Sequence, residues 1–254
     1  MCTIALLVEV VAGAPIVVAA NRDELYARPT RPPELLGAHL VGGRDVLSGG
    51  TWLAVHRDGR FAAVTNQRAL ATPPPGLRSR GLAVTELAAA SDPDAYVAAL
   101  DPTQYASMNL VWGDGRGVSV AYARQEGELE IERLAPGIHV LCNDRIGAGG
   151  FPRGVRLHAS IAGSIGLGWP AIVPVLHTAL SDHMRVPLAE VPPSHLPPEL
   201  ARELTATCIH SESYGTRSAT LLALGEDRVI DYRYSEGPPC TSPLIDGRRL
   251  LEEA

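Results

Sequence analysis

The chain contains no lysine. All twenty-two of its basic side chains are arginine, they are scattered along 254 residues, and twenty-eight acidic residues leave a net charge of −6. Without a basic patch to supply phosphate contacts, neither nucleic acid nor an anionic membrane surface is expected as the main partner. There is no G-x-G-x-x-G and no G-x-x-x-x-G-K-[ST] run, so nucleotide-binding α/β folds lose support. The eight histidines show no H-x-H or H-E-x-x-H spacing. The four cysteines (Cys2, Cys142, Cys208, Cys240) form no C-x-x-C, which argues against the usual zinc spacings, a thioredoxin pair and covalent c-type haem attachment. On spacing alone no Cys/His cluster is expected, and Cys208 and Cys240 read as small buried hydrophobes. The apolar N-terminus lacks a basic n-region and is interrupted by Glu9. It is also too short to span a bilayer. Strand is the better assignment, and the expected location is the cytoplasm.

What is present is a strongly apolar start. Thr3–Val10 and Pro15–Ala20 read as two strands joined by a turn at Ala12-Gly13-Ala14, nearly continuous in apolar residues as strands buried on both faces are. An antiparallel hairpin returns the end of its second strand to the start of the first. Cys2 should therefore lie beside Asn21-Arg22-Asp23-Glu24. A second hairpin, Thr51–His56 with Arg60–Thr65, turns at Arg57-Asp58-Gly59. A Pro-rich connection through Pro32 and Pro33 separates the two hairpins. Helices are expected over Arg78–Ala90 and, with Ser91 followed by Asp92-Pro93 resembling an N-cap, on to Leu100. Short strands follow at Asn109–Trp112, Gly117–Ala123, Leu129–Leu134 and Ile138–Cys142, then a helical stretch over Phe151–Asp182. The proline-dense Val186–Pro198 reads as a loop that could pass over a site. A final hairpin pairs Thr216–Leu224 with Arg228–Tyr234. The order strands, helices, strands, helices, strands has no βαβ alternation and fits two antiparallel sheets under helices in a single α+β domain, residues 1–254.

Several polar residues stand at predicted strand ends: Asn21 and Arg22, Asn66, Asn143 and Arg217. Each alone has an ordinary explanation as a turn residue or a surface arginine. With Cys2 they outline a nucleophile ringed by amides and guanidinium groups. A thiol attacks an acyl carbon as thiolate, and neighbouring cations favour that form. Removal of Met1 would add an α-amine with an ordinary pKa of about 8, able to serve as base for the thiol of its own residue. Asn amides can donate to a tetrahedral oxyanion. Cys142, beside Asn143, is a weaker rival nucleophile with no local base.

Met1-Cys2, Ala20-Asn21-Arg22-Asp23-Glu24, Gly49-Gly50-Thr51-Trp52-Leu53, Thr65-Asn66, Cys142-Asn143 and Tyr214-Gly215-Thr216-Arg217-Ser218-Ala219-Thr220 together resemble the NRDE family of the transport-and-Golgi-organisation type. The resemblance covers essentially the whole chain. It implies the N-terminal-nucleophile hydrolase fold, a four-layer αββα sandwich, and a similarity to bile-salt hydrolases and penicillin V acylases. By that similarity Cys2 is the nucleophile, Asn66 and Asn143 hold the oxyanion, and Arg217 is the late arginine. The acylases space their Arg and Asp three residues apart. Here Arg22 and Asp23 are adjacent, and Asn21 and Glu24 hold that spacing, so either pair could face the thiol.

Two functions follow as expectations. One is a cysteine amidohydrolase that cleaves a linear, non-peptide amide without a cofactor, through Cys2, Arg22, Asp23, Asn66, Asn143 and Arg217. The other is a non-catalytic carrier on the same fold. Animal members of the family have been implicated in haem trafficking and in lipid or acyl-CoA handling, so the resemblance admits haem, with Cys2, His210 or another histidine as axial ligand. Under either, the partner is a small acyl amide, haem or a lipid-like molecule.

Overall fold

The computed structural model describes residues 2–68, 73–194 and 196–254. The first hairpin is longer than its apolar residues suggest: β1 is Cys2–Val11 and β2 is Ala14–Leu25. The Asn-Arg-Asp-Glu run thus lies inside a strand, where a flanking turn position was expected. The reason is a second neighbour. The late strand β11 (Tyr214–Gly225) pairs with β2 out to Leu25, so the polar end of β2 has backbone partners on both sides. The remaining strands, numbered along the chain, are β3 (Thr30–Gly37), β4 (Leu40–Asp45), β5 (Leu53–His56), β6 (Phe61–Asn66), β7 (Met108–Asp114), β8 (Gly117–Ala123), β9 (Leu129–Arg133), β10 (Gly137–Leu141), β12 (Arg228–Tyr234) and β13 (Ile245–Asp246).

All pairings between named strands are antiparallel, and they make two sheets. One is a seven-stranded meander, β3 to β9 in chain order. The other is assembled from both ends of the chain in the order β10-β1-β2-β11-β12-β13. Pro32 and Pro33 fall within β3, where a plain connection was expected. Proline donates no backbone hydrogen bond, and β3 is an edge strand paired only with β4, the one place in a sheet that tolerates it.

Helices cover the outer faces. α1 (Arg80–Ala89) and α2 (Pro93–Ala98) pack on the meander, with Ala83, Val84, Leu87 and Val97 in one core with Leu40, Ala62 and Met108. The Asp92 carboxylate accepts from the Ala95 N–H and caps α2, as the Asp-Pro start predicts. α3 (Pro152–Ala162) and α4 (Trp169–Leu180) cover the other sheet through Leu157, Ile161, Ile172 and Leu176. Pro170 sits in the first turn of α4, where its missing N–H costs nothing. Two short helices, α5 (Pro198–Glu203) and α6 (Arg248–Glu252), complete the set.

Between the sheets lies a third core, formed by Ile4, Leu6, Val8, Ile16, Val18 and Ala20 against Val41, Leu53, Val55, Phe61 and Val120. The layers are therefore helix, sheet, sheet, helix. Alternation along β1 and β2 sorts the side chains. Ile4, Leu6, Val8, Ile16, Val18 and Ala20 face the other sheet, whereas Ala5, Leu7, Val17 and Ala19 face α3 and α4. That rule decides how the site is built.

Candidate active site

Alternation carried to the ends of the hairpin puts Cys2 and Arg22 on the inter-sheet face, and they are directly paired in register. Ser218 of β11 pairs with Arg22 from the other side. Together they form the floor of a cavity of about 580 Å³ at the end of the sandwich. Glu24, Asn66, Arg80, Arg217 and Trp52 are also on its wall. Cys2 is 8% exposed and Arg22 6%. The Arg22 Nη1 atom is buried without a hydrogen-bond partner among the described residues, and its Nη2 lies 3.8 Å from a Glu24 carboxylate oxygen. Met1, whose removal the sequence reading invokes, lies outside the described residues.

Asn21 and Asp23 take the opposite face. The Asn21 amide donates to the carbonyls of Leu180 (2.8 Å) and Thr207 (2.9 Å), tying β2 to the end of α4 and to the segment before β11. Asp23 accepts from the Thr216 hydroxyl at 2.7 Å, and its other oxygen stands 3.8 Å from the buried Arg153 guanidinium on α3. Of the two pairings left open by the sequence, Arg22 and Glu24 point side chains at the thiol's cavity. Asn21 points away from it. Asp23 acts on the thiol through its charge, which disfavours the thiolate, and less through its backbone N–H, which favours it.

Asn143 is 2% exposed and stands behind the cavity wall. Its Nδ2 donates to the Asn66 carbonyl at 2.8 Å and its Oδ1 accepts from Arg153 at 2.5 Å. It fixes where Asn66 sits. Arg217 is the extra residue of a bulge in β11, between Thr216 and Ser218. Its Nη1 donates to the carbonyls of Leu25 and Tyr26, both at 3.0 Å, so the cavity-lining arginine also braces the turn that leaves β2.

The sequence reading gives no role to three contributors, one of which, Thr216, stands within the Tyr214–Thr220 motif. Arg80 opens α1 and is brought to the cavity because Gly50 and Gly81 touch: a Cβ on Gly50 would lie 2.2 Å from the Gly81 carbonyl carbon. Arg153 and Thr216 support Asp23 from elements far along the chain. The Val186–Pro198 loop, expected to pass over a site, contributes no described residue to this cavity.

The electrostatics are uneven. Burial pushes the Cys2 thiol above its ordinary value; the terminal ammonium and Arg22 pull against that, while Asp23 adds to it. The resting group is thus a thiol that needs a base. No histidine is among the described residues that line the cavity, so His210, one of the axial ligands considered for haem, lies outside it. Burial likewise raises Asp23, opposed by Arg153 and by the chain's ammonium. Seven arginines line the cavity against four carboxylates, which makes it cationic in a protein of net charge −6.

The expectation that no Cys/His cluster forms needs correction. The fold brings His183, Cys208, His210 and Cys240 together, with one ligand atom of each within 4.8 Å of all the others. Spacing rules could not find it, because three separate loops supply the four groups.

A two-sheet αββα sandwich with a cysteine at the head of its central hairpin is the architecture of the N-terminal-nucleophile hydrolases. The chain superposes on a mutant of the conjugated bile acid hydrolase from Clostridium perfringens with a TM-score of 0.56 at 13% identity, covering 98% of this chain and 93% of the other. An N-acylethanolamine-hydrolyzing acid amidase orthologue from Caenorhabditis elegans gives 0.55 at 10% identity, covering 87% and 92%. Likeness at such identities shows the fold. By sequence, the chain belongs to the Transport and Golgi organisation 2 family, whose profile matches residues 1–236. The Transport and Golgi organization protein 2 homolog of Bos taurus is 29% identical over 237 residues, covering 85% of this chain and 84% of the relative. The Homo sapiens homolog is 25% identical over 244 residues with the same coverage. No described helix is long and apolar enough to cross a membrane.

Proposed function

We propose that the protein is a cysteine amidohydrolase that cleaves linear, non-peptide amides carrying a negative charge. The observation behind this is Cys2 on the floor of a cationic cavity, paired with Arg22 and with no histidine among the described lining residues. A buried thiol with no imidazole beside it among the described residues calls for another base, and the α-amine of Cys2, freed by loss of Met1, is the nearest one by construction.

The steps then follow. The amine takes the thiol proton as the sulfur attacks the amide carbon, and the C=O pair becomes an oxyanion. The Asn66 side chain, at the cavity wall, donates to that oxyanion; Asn143 acts as a positioning residue by holding the Asn66 backbone. Collapse breaks the C–N bond, and the leaving amine takes the proton from the α-ammonium. Water then attacks the thioester with the same amine as base, releasing the acid and restoring the thiol. Arg22, with one buried nitrogen unpartnered, is placed to hold an anionic group of the substrate, and Arg80 adds positive potential.

The test is a hydrolysis screen of carboxylate- and sulfonate-bearing acyl amides with intact-mass spectrometry run beside it. The expected result is turnover only by protein that has lost Met1, with an acyl adduct on Cys2 under single-turnover conditions. Full activity in protein that retains Met1, or tight ligand binding with no turnover of any amide, overturns the proposal. The second of these outcomes would favour the carrier.

A further inference from the structure

We infer that His183, Cys208, His210 and Cys240 form a tetrahedral site for one zinc-class divalent ion, separate from the Cys2 cavity. The separations among Cys208, Cys240 and His210 are close to those of such a site, and His183 offers a ring nitrogen within 4.8 Å of the other three ligand atoms. The Cys208 and Cys240 sulfurs are 3.6 Å apart, and the His210 Nε2 lies 3.7 Å from the first and 3.2 Å from the second. Around a tetrahedral ion with Zn–S of about 2.3 Å and Zn–N of about 2.0–2.1 Å, sulfur–sulfur edges are about 3.8 Å and sulfur–nitrogen edges about 3.6 Å. The sulfurs are much too far apart for a disulfide, whose S–S length is about 2.05 Å. A disulfide would also leave unexplained why two imidazoles converge on the same point.

Local structure presents the donors. Cys208 and His210 flank Ile209, which is wholly buried. That segment is pinned at both ends: the Cys208 N–H donates to the Asp182 carbonyl, and the Ile209 N–H to the Thr216 hydroxyl. His183 follows α4, and its Nδ1 lies 3.1 Å from the Cys208 carbonyl. An Nδ1–H donated to that carbonyl fixes the tautomer and leaves Nε2 free to ligate, the supporting contact usual for metal-bound histidine. Cys240 comes from the loop after β12. Both histidines are exposed while Cys208 is buried, so an ion can enter from solvent yet bind against the protein interior.

Four protein donors fill a tetrahedral ion completely, which marks a structural site with no open position for substrate. Two thiolates also balance the charge of a divalent ion, so binding releases two thiol protons. The ion would join three loops, and one of them holds Thr216, the partner of Asp23, through the Ile209 N–H. It would stabilise the framework behind the Cys2 cavity without touching it.

The full-length protein, reduced and stripped with chelator, is loaded with zinc or with cobalt(II) as a spectroscopic probe, then desalted. The expected result is about one ion per chain, release of about two protons, and for cobalt the intense visible bands of tetrahedral geometry with thiolate charge transfer. Cys240→Ser and His183→Ala, both at accessible positions, should each weaken cobalt binding at least tenfold and reduce the charge-transfer band. His158→Ala, on the exposed side of α3, should bind as wild type does. Chelator should lower the melting temperature of wild type more than that of Cys240→Ser. Well below one ion per chain after loading, an octahedral cobalt spectrum, or a Cys208–Cys240 disulfide in protein isolated under reducing conditions overturns the inference. So does unchanged binding in both ligand variants.

Discussion

The four residues Asn21 to Glu24 lie on one strand, yet its two faces do different work. On the inter-sheet face, Arg22 and Glu24 look into a cavity beside Cys2, and an Arg22 nitrogen is left unpartnered. On the helix face, Asn21 spends its amide on two carbonyls, and Asp23 joins Thr216 and Arg153. A motif that reads as one unit in sequence is half site and half scaffold. The cause is the two-residue period of a strand, which gives neighbouring residues opposite surroundings. Substitutions on the cavity face should therefore change chemistry and leave stability nearly intact, and those on the helix face should do the reverse.

The largest effect is expected at Cys2. Cys2→Ser keeps the geometry but replaces the thiol by a hydroxyl of much higher pKa, so turnover of an amide substrate should fall by orders of magnitude. The urea midpoint should stay close to wild type. Residual activity within about tenfold of wild type would remove Cys2 from the mechanism and end the assignment of that face to catalysis.

On the helix face, Asn21→Leu keeps roughly the volume but leaves the Leu180 and Thr207 carbonyls without their donor. Each buried polar group so abandoned costs about 1–3 kcal/mol, so a loss of about 2–6 kcal/mol is expected in urea unfolding. Arg22→Gln should stay within about 1 kcal/mol of wild type, because its one ion pair among the described residues is long and lies on the cavity floor. If the two variants are equally destabilised, the division between faces is wrong.

Arg22→Gln should instead show in kinetics. Loss of a charge-assisted hydrogen bond of about 1.5–3 kcal/mol predicts a tenfold or greater rise in KM for an anionic amide. A neutral amide of the same shape should be barely affected. An equal effect on both substrates would mean that Arg22 serves the thiol and not the substrate.

Much of the fold was legible, because apolar runs, turn residues and caps are local signals. The β11–β12 hairpin, α1, the Asp92 cap and Pro170 at the head of α4 follow from neighbours within a few residues. The extension of β2 through Glu24 was not legible, since it depends on β11, about 190 positions away. The same limit applies to the site. Cys2 beside the Asn-Arg-Asp-Glu run follows from hairpin return alone. The division of that run between two faces needed its continuation as strand. Arg80, Arg153 and the His183–Cys240 cluster needed the tertiary fold itself.

The smallest effect separates two carboxylates by sign. Burial raises Asp23, so whatever stability its protonated form contributes is complete below the ordinary carboxylate pKa and declines as pH rises through the raised value. Asp246 behaves oppositely. Hydrogen bonds from the Arg248 side chain and backbone pull it down to about 2. Its contribution is complete above about pH 4 and is lost as pH falls towards 2. Because Asp246 is exposed, solvent screens the interaction, and surface pairs are worth only about 0–1 kcal/mol. Asp246→Asn should therefore flatten the acid limb of the stability curve slightly between about pH 4 and pH 2, with no change at pH 7 beyond that small amount. Urea midpoints measured across this range decide it. A steeper acid limb in Asp246→Asn would mean that the exposed carboxylate does not gain from Arg248, and the contrast in sign with Asp23 would be lost.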